Sequence, residues 1–214
     1  MFLQILCFTL LFFGEEYFAT KKLKIDLDTL NKINSSLHAL VMISGSFYYL
    51  IDLIDQDKLN YYLYLSSGFA IYDIINLFNI NYRHKYSLTF HHLMIIYGNT
   101  YCMLEQDDDL YYILAINYLS EISTYFLNNV LYLYEENLTD TNFFKYNCYA
   151  LLITYLFFRI FVGFYALYFM ITYNSNFILL QISLTTMNFV WFSKLIKKYQ
   201  RMKNKNLKVD KVKI

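Results

Sequence analysis

Proline is absent from this chain of 214 residues, and glycine occurs only five times. G-protein-coupled receptors are longer and rely on helix-kinking prolines, and the discontinuous helices of transporters favour interruptions by glycine or proline. The three cysteines are odd in number and lie in apolar stretches, so we predict buried thiols and no disulfide framework. These shortages disfavour receptor, transporter and disulfide-stabilised architectures.

Charged residues are also scarce, at 16%, whereas 57% of the residues are hydrophobic and 21% are aromatic. Apolar stretches of roughly 17–25 residues recur from end to end, and each is long enough to cross a hydrocarbon core. We therefore predict an all-α membrane protein with seven transmembrane helices. The expected spans lie near residues 1–20, 34–51, 61–80, 88–104, 110–134, 147–171 and 177–193.

The first span lacks a basic start and a small-residue cleavage site, which predicts an uncleaved helix instead of a signal peptide. Residues 21–33 are predicted to be a charged loop. With the N-terminus outside the cytosol, the cytosolic regions hold 16 of the 18 Lys and Arg residues, as the positive-inside rule requires. The segment from Lys194 onward is expected to be a disordered, basic cytosolic tail.

Ionisable side chains inside a membrane span are rare because they are costly to bury. Five successive predicted spans nevertheless carry them in the cytosolic half of the bilayer: His38, Asp73, the adjacent His91 and His92, Glu121, and Arg159. The adjacent histidines follow a basic turn (Arg83, His84 and Lys85). Two neighbouring ionisable groups at this depth are hard to explain as packing, so we predict a function there.

The other polar groups also have structural explanations. Glu121 and Arg159 can pair as a cross-brace, and Asp73 can pair with a histidine and orient its imidazole. His38 can be an ordinary histidine that hydrogen-bonds between helices. Polar residues that recur at helical spacing should face inward, to line a cavity or to join helices. They are Asn117, Glu121, Thr124 and Asn128 in the fifth span, and Gln181, Thr185 and Asn188 in the last.

The histidines do not predict a metal or haem site. Adjacent residues of a helix point about 100° apart and cannot readily chelate one ion. Histidine-box hydroxylases need more than the four histidines present, and a retinal protein needs a lysine in its last helix, which residues 177–193 lack. We expect no metal and no cofactor.

Six segments together suggest a family. In order, they are NSSLHAL, YDIINL, FHHLMIIYG, LSEISTYFLNNVLYL, FFRIFVGFYALY and MNFVWFSKLIKKY. The series resembles the TLC domain (TRAM, LAG1 and CLN8 homology) from about Leu30 to Lys198. The resemblance implies a bundle of six helices around a lipid-accessible cavity, with one extra N-terminal helix, usually in the endoplasmic reticulum. It divides the chain into an N-terminal helix and basic loop (1–29), the TLC domain (30–198) and a basic tail (199–214).

Ceramide synthases of this family combine the double histidine with a later His-Asp-x-x-Asp. Here His91 and His92 are present, but the corresponding region, Leu119–Ser123, contains no His-Asp. The departure weakens the ceramide synthase assignment. The other branch of the family is linked to lipid composition, lipid sensing or cargo export.

Two functions remain open. The first is lipid binding, sensing or regulation of membrane composition, with His38, Asn128 and Arg159 as lipid-binding candidates. The alternative is acyl transfer from acyl-CoA to a lipid amine or hydroxyl, in which His91 or His92 is the base or nucleophile and Asp73 or Glu121 orients it. We expect membrane lipids as partners and no nucleic acid, and a homo-oligomer remains an open alternative.

Overall fold

The computed structural model describes residues 1–80, 82, 85–172 and 177–212, with residues 202–212 described by their backbone alone. This part of the chain is helical and contains no strand, which confirms the predicted all-α class. The predicted basic turn at Arg83 and His84 lies outside the described residues. The α-helices are α1 (Phe2–Lys22), α2 (Leu27–Leu50), α3 (Gln56–Asn79), α4 (Lys85–Glu105), α5 (Asp108–Tyr118), α6 (Ile122–Glu135), α7 (Asn142–Thr154), α8 (Val162–Thr172) and α9 (Ile178–Val212).

Two of the predicted spans are each built from two α-helices joined end to end. A 3-10 turn at Leu119–Glu121 joins α5 to α6, and a π-helical segment at Tyr155–Phe161 joins α7 to α8. Neither change of helical periodicity was predicted from the sequence. Each change includes a charged candidate residue, Glu121 in the first and Arg159 in the second. Short π-helical segments are often found at functional sites.

Aspartate side chains determine where several helices begin. Asp26, Asp55 and Asp107 each accept a hydrogen bond from a backbone amide in the first turn of α2, α3 and α5. The bond from the Thr29 amide lowers the pKa of Asp26 because it stabilises the carboxylate. The predicted loop at 21–33 is therefore wrong at both ends, since α1 continues to Lys22 and this cap allows α2 to begin at Leu27.

The last helix, α9, is 35 residues long. At 1.5 Å per residue it extends about 52 Å, well beyond a ~30 Å hydrocarbon core. The prediction of a disordered tail from Lys194 is wrong as far as Val212, where the backbone is helical. Lysine, arginine, leucine and methionine, which dominate this segment, are good helix formers, and no proline interrupts it.

The bundle is arranged around α2, which contacts α3, α5 and α6, while α1 packs against α3. Gly68 permits the close approach of α1: a Cβ there would lie 2.7 Å from the Cβ of Phe8 and 3.0 Å from the backbone nitrogen of Thr9. The Thr9 hydroxyl donates a hydrogen bond to the Gly68 carbonyl at 3.3 Å. Farther along the same pair of helices, Phe12 packs on the ring of Phe69.

Two helical segments of the described chain are long and apolar enough to cross a membrane, Phe2–Lys22 and Asn142–Thr172. The other predicted spans carry polar stripes that lower their hydropathy, and their crossing of the membrane stays a prediction. Large apolar side chains such as Leu10, Ile153 and Leu179 are more than half exposed on the outside of the bundle. Apolar surface of this kind is typical of a protein in contact with lipid.

Candidate functional site

A pocket of about 200 Å³, which we call the polar pocket, lies between α2, α3, α4 and α6 and the two irregular segments. It brings together every site residue predicted from the sequence. Those residues are His38, Asp73, His91, His92, Glu121, Asn128 and Arg159. Asp28 and Lys32, from the first turns of α2, also line it. Residues far apart in the chain thus share one concave surface.

Asp73 of α3 holds the imidazole of His92. The distance from Asp73 Oδ2 to His92 Nε2 is 2.7 Å, and the side chains are 13% and 10% exposed. Because a carboxylate accepts hydrogen bonds, Nε2 is the donor, and in a neutral imidazole the lone pair is then on Nδ1. Among the described residues, that Nδ1 is buried and has no hydrogen-bond partner. The pair is the carboxylate–histidine arrangement that the sequence analysis left as an alternative for Asp73.

His91 has different surroundings, although it is adjacent to His92 in the chain. Its ring lies 5.5 Å from the His92 ring and edge-on to Trp191 of α9, with centroids 5.7 Å apart. Within the described part of the chain, its Nδ1 is buried without a hydrogen-bond partner. The two histidines therefore differ in how they are held, because a carboxylate orients the His92 ring, whereas each has a buried Nδ1 without a hydrogen-bond partner in the described chain.

Arg159 is 6% exposed and makes several hydrogen bonds. Its Nε donates to Ser123 Oγ and its Nη2 to Thr124 Oγ1, both at 2.6 Å. Its Nη1 donates to Asn188 Oδ1 of α9 at 3.3 Å. Glu121 Oε1 lies 3.7 Å from Nη2, which is close enough for an ion pair. The predicted cross-brace between Glu121 and Arg159 is present, but hydroxyl and amide oxygens hold the guanidinium more closely.

His38 takes part in a buried network of hydrogen bonds. Its Nε2 lies 3.1 Å from Ser66 Oγ, which lies 2.8 Å from the Tyr118 hydroxyl. Tyr118 in turn donates to Asn99 Oδ1 at 2.8 Å. One face of the imidazole stacks on the ring of Phe69 at a centroid distance of 4.3 Å. His38 is thus a bonded interhelical histidine that also lines the polar pocket.

At the end of the polar pocket formed by the first turns of α2, hydrogen bonds and an ion pair connect α2 to α6. Asn128 Nδ2 donates to Ser36 Oγ at 3.1 Å and to the Lys32 carbonyl at 3.3 Å. The Lys32 ammonium pairs with Asp28 and, at 2.6 Å, with Glu135. Burial acts to lower the pKa of Lys32, but these two carboxylates outweigh it and raise the pKa above its usual value.

A second pocket, of about 80 Å³, lies between α4, α5, α8 and α9; we call it the apolar pocket. Its apolar lining consists of Met94, Ile95, Cys102, Leu110, Ile113, Leu114, Met170, Phe177, Leu180 and Leu184, together with Gly98. His91, Ile95, Glu121 and Arg159 line both pockets. The two pockets are therefore adjacent, because each of these four residues lines both of them.

Comparison with known families identifies the chain. The profile of the TLC domain matches residues 28–197, which is most of the sequence. The chain belongs to the TLC-domain family. It is therefore a membrane protein of a family linked to lipid biology, and the resemblance suggested by the six segments is confirmed. No curated protein and no solved structure matches the chain.

Within the TLC domain, the inward-facing stripes serve both purposes that were expected of them. Thr124 and Asn128 line the polar pocket and also bond other elements. Asn117 of α5 donates to Gln181 of α9 at 3.0 Å, beside the apolar pocket. In the described chain, no group of three His, Cys, Asp or Glu side chains is placed to hold a metal ion.

Sequence reasoning missed several residues that shape the site. Tyr118, Ser66 and Asn99 form the network behind His38, and Trp191 covers one side of His91. The only tryptophan of the chain was a signal that could have been used. Tyr118 offered none, because nothing in the sequence distinguishes it from the other 23 tyrosines.

Proposed function

We propose that this TLC domain binds a membrane lipid and acts in lipid homeostasis, through lipid binding, sensing or regulation of membrane composition. One observation carries the proposal: His91, Ile95, Glu121 and Arg159 line both the apolar and the polar pocket. In this proposal a single ligand places a hydrocarbon chain in one pocket and a polar headgroup in the other, on either side of these four residues. A lipid has both parts.

The length of the apolar pocket supports this assignment. His91 and Cys102 of α4 both line it, and the rise of the helix separates them by about 16 Å. Half of a ~30 Å hydrocarbon core, the depth of one leaflet, is nearly the same length. The pocket therefore suits one hydrocarbon chain of a membrane lipid.

The polar pocket provides both kinds of hydrogen-bonding group to a headgroup. Arg159 carries donors, Glu121 and Asp73 carry acceptors, and an imidazole can supply either. In this proposal His38, Asn128 and Arg159 contact the headgroup, and no cofactor takes part.

A steric block at the junction of the pockets tests the proposal. Ile95→Trp adds bulk where the pockets meet, whereas Ile96→Trp adds the same bulk at the next residue, which lines neither pocket. We expect mass spectrometry of lipids that co-purify in mild detergent to show one enriched lipid class in the native protein and in Ile96→Trp, and its loss in Ile95→Trp. Bound lipid with the same composition as the surrounding membrane would contradict the proposal.

The pair formed by Asp73 and His92 favours a second candidate, acyl transfer from acyl-CoA. Nδ1 of His92 would take the proton of a lipid amine or hydroxyl as that group attacks the thioester carbonyl. The new bond to the acyl carbon forms, the carbon–sulfur bond breaks, and the thiolate of coenzyme A leaves. His91 lies beside this base and Glu121 lies across the pocket, beside Arg159.

Labelled long-chain acyl-CoA, supplied to the purified protein with a sphingoid base or a lysophospholipid, tests acyl transfer. The expected result is an acylated product that disappears in His92→Ala and falls strongly in Asp73→Asn. A carboxamide keeps the size of Asp73 but does not stabilise a protonated imidazole. Equal product from the native protein and from the His91→Ala, His92→Ala double variant would rule out this mechanism.

We further propose that the protein resides in the endoplasmic reticulum or a related endomembrane, with its N-terminus lumenal and its basic C-terminus cytosolic. The asymmetric distribution of Lys and Arg between the loops supports this orientation. It places the first turns of α2, and with them Lys32 at the end of the polar pocket, on the cytosolic side.

A further inference from the structure

Gly45, Gly68 and Gly98 lie inside helices of the bundle. The first two have little space beside them, and the third lies beside the apolar pocket. The first two are explained by packing. A Cβ at Gly45 would collide with the ring of Tyr62, and one at Gly68 would collide with Phe8 and the α1 backbone. Glycine is unfavourable inside a helix, so each needs a reason to be there.

Helix packing does not explain Gly98. A Cβ built there would lie 3.7 Å from Leu180 Cδ2 and 3.9 Å from Phe177 Cε1, which are ordinary van der Waals distances. Alanine would therefore fit, and would favour the helix. Gly98 forms part of the wall of the apolar pocket, together with Leu180 and Phe177. The pocket explains the glycine, because a side chain at this position would take up space in it.

The position of Gly98 along α4 places it part-way down the pocket. His91, Ile95, Gly98 and Cys102 follow one another at helical spacing and all line the apolar pocket. The rise of the helix puts Gly98 about 10 Å from the junction at His91, and Cys102 about 16 Å from it. A large side chain at position 98 would therefore close roughly the last third of the pocket.

We propose that Gly98 determines the length of the hydrocarbon chain that this protein accepts. The inference rests on the proposed lipid binding and adds a specificity determinant to it. Without a side chain at this position, the apolar pocket continues past Gly98 to Cys102, and a straight chain can follow it to that depth. With a larger side chain, the pocket accepts only chains that are several methylene groups shorter.

An equimolar series of straight-chain primary alcohols, from short to long, provides the probe. A hydroxyl is the simplest headgroup that both donates and accepts hydrogen bonds. The purified protein is incubated with the series and separated from free alcohol, and the bound fraction of each length is measured by mass spectrometry. The variants are Gly98→Leu, Gly98→Ala and the control Gly14→Leu, since a Cβ at Gly14 would meet nothing within 4 Å.

We expect the native protein and Gly14→Leu to prefer the same long chains. Gly98→Leu should shift the preference to shorter chains and lower the long-to-short ratio by roughly tenfold or more, because each methylene in a tight apolar pocket affects binding strongly. Gly98→Ala should shift it in the same direction by less, and it provides the test if Gly98→Leu does not fold.

The outcomes separate the two proposals. A native protein that retains no alcohol of any length would overturn the proposed lipid binding, and the role of Gly98 with it. A native protein that discriminates by length, with the same preference in folded Gly98→Leu and Gly98→Ala, would overturn the role of Gly98 alone.

Discussion

At the scale of single residues, Arg159 and Glu121 form a buried pair with unequal partners. Arg159 keeps three hydrogen bonds to oxygen atoms if Glu121 is neutralised, whereas Glu121 loses its nearby cation if Arg159 is removed. We expect Arg159→Met to lower the free energy of unfolding by about 3–5 kcal/mol, because it leaves a buried carboxylate unpaired. Glu121→Gln should cost about 1–2 kcal/mol, since the hydrogen-bonded guanidinium stays in place.

Thermal unfolding of both variants in the same detergent checks this order. Lys58→Met serves as the control, because the pair of Lys58 with Asp55 is largely exposed and such pairs contribute little. Equal losses from Arg159→Met and Glu121→Gln would show that the ion pair, and not the set of hydrogen bonds, holds the guanidinium.

The identity of the site residues could be predicted largely from the sequence, whereas their bonding could not. Charges and imidazoles inside apolar spans stand out because burying them is expensive, and His38, Asp73 and Arg159 were found in this way. Which of the histidines would bond Asp73 depends on how α3 and α4 are rotated against each other. The partners of His38 are hydroxyl groups, which are too common in this chain to be recognised.

At the scale of helices, Gly68 makes the contact between α1 and α3 possible. Gly68→Ala should destabilise the protein by about 1–3 kcal/mol, the usual cost of overpacking, because its Cβ would meet Phe8 and the backbone of Thr9. Thermal unfolding in detergent measures the loss. Gly14→Ala, on an exposed part of α1, should be neutral or slightly stabilising. Equal stability of Gly68→Ala and the native protein would show that α1 is not held in this way.

Lys32 pairs with Asp28 within α2 and with Glu135 of α6, and these ion pairs predict a dependence on pH. Because the folded pKa of Lys32 is raised, its contribution is fully present below the usual pKa of 10.5 and is lost as pH rises through the folded value. The difference in melting temperature between the native protein and Lys32→Met should be constant from neutral pH to about pH 10 and should shrink above it. A difference that stays constant into strong alkali would show that Lys32 acts through packing instead of charge.

The helices themselves could be predicted from apolar runs, but their ends and breaks could not. Asp26 caps α2 eight residues before the predicted span at Asn34, and a polar first turn hid that start. The 3-10 turn and the π-helical segment lie where the chain makes contacts across the bundle, such as those of Arg159 with Ser123 and Thr124. A pattern within one segment does not encode such contacts.

At the scale of the whole molecule, the orientation in the membrane is open to a direct test. Asn137, Leu138 and Thr139 form a glycosylation sequon in an exposed turn between α6 and α7. Our topology places this turn in the cytosol, so no glycan is expected at Asn137 after expression with microsomes. A sequon fused before Met1 should be glycosylated and one fused after Ile214 should not. A glycan at Asn137 would reverse the topology.

The second sequon, at Asn34, gives no information on orientation. Asn34 lies within α2 and is 1% exposed, so the folded protein does not present it. Asn34 is the first residue of the predicted span 34–51, but α2 begins seven residues earlier, at Leu27. The overall class, by contrast, followed from composition and from the order of six short segments.

The π-helical segment determines the direction in which the buried side chains of α7 and α8 point relative to each other. Leu151, Tyr155, Arg159 and Gly163 are all buried, and they follow one another in three steps of four residues. In a regular α-helix three such steps turn about 1,200°, so the last residue would point about 120° away from the first. The wider turn at Tyr155–Phe161 removes this drift. Deleting one residue there would rotate α7 against α8 by about 100° and turn the guanidinium away from the place where the two pockets meet.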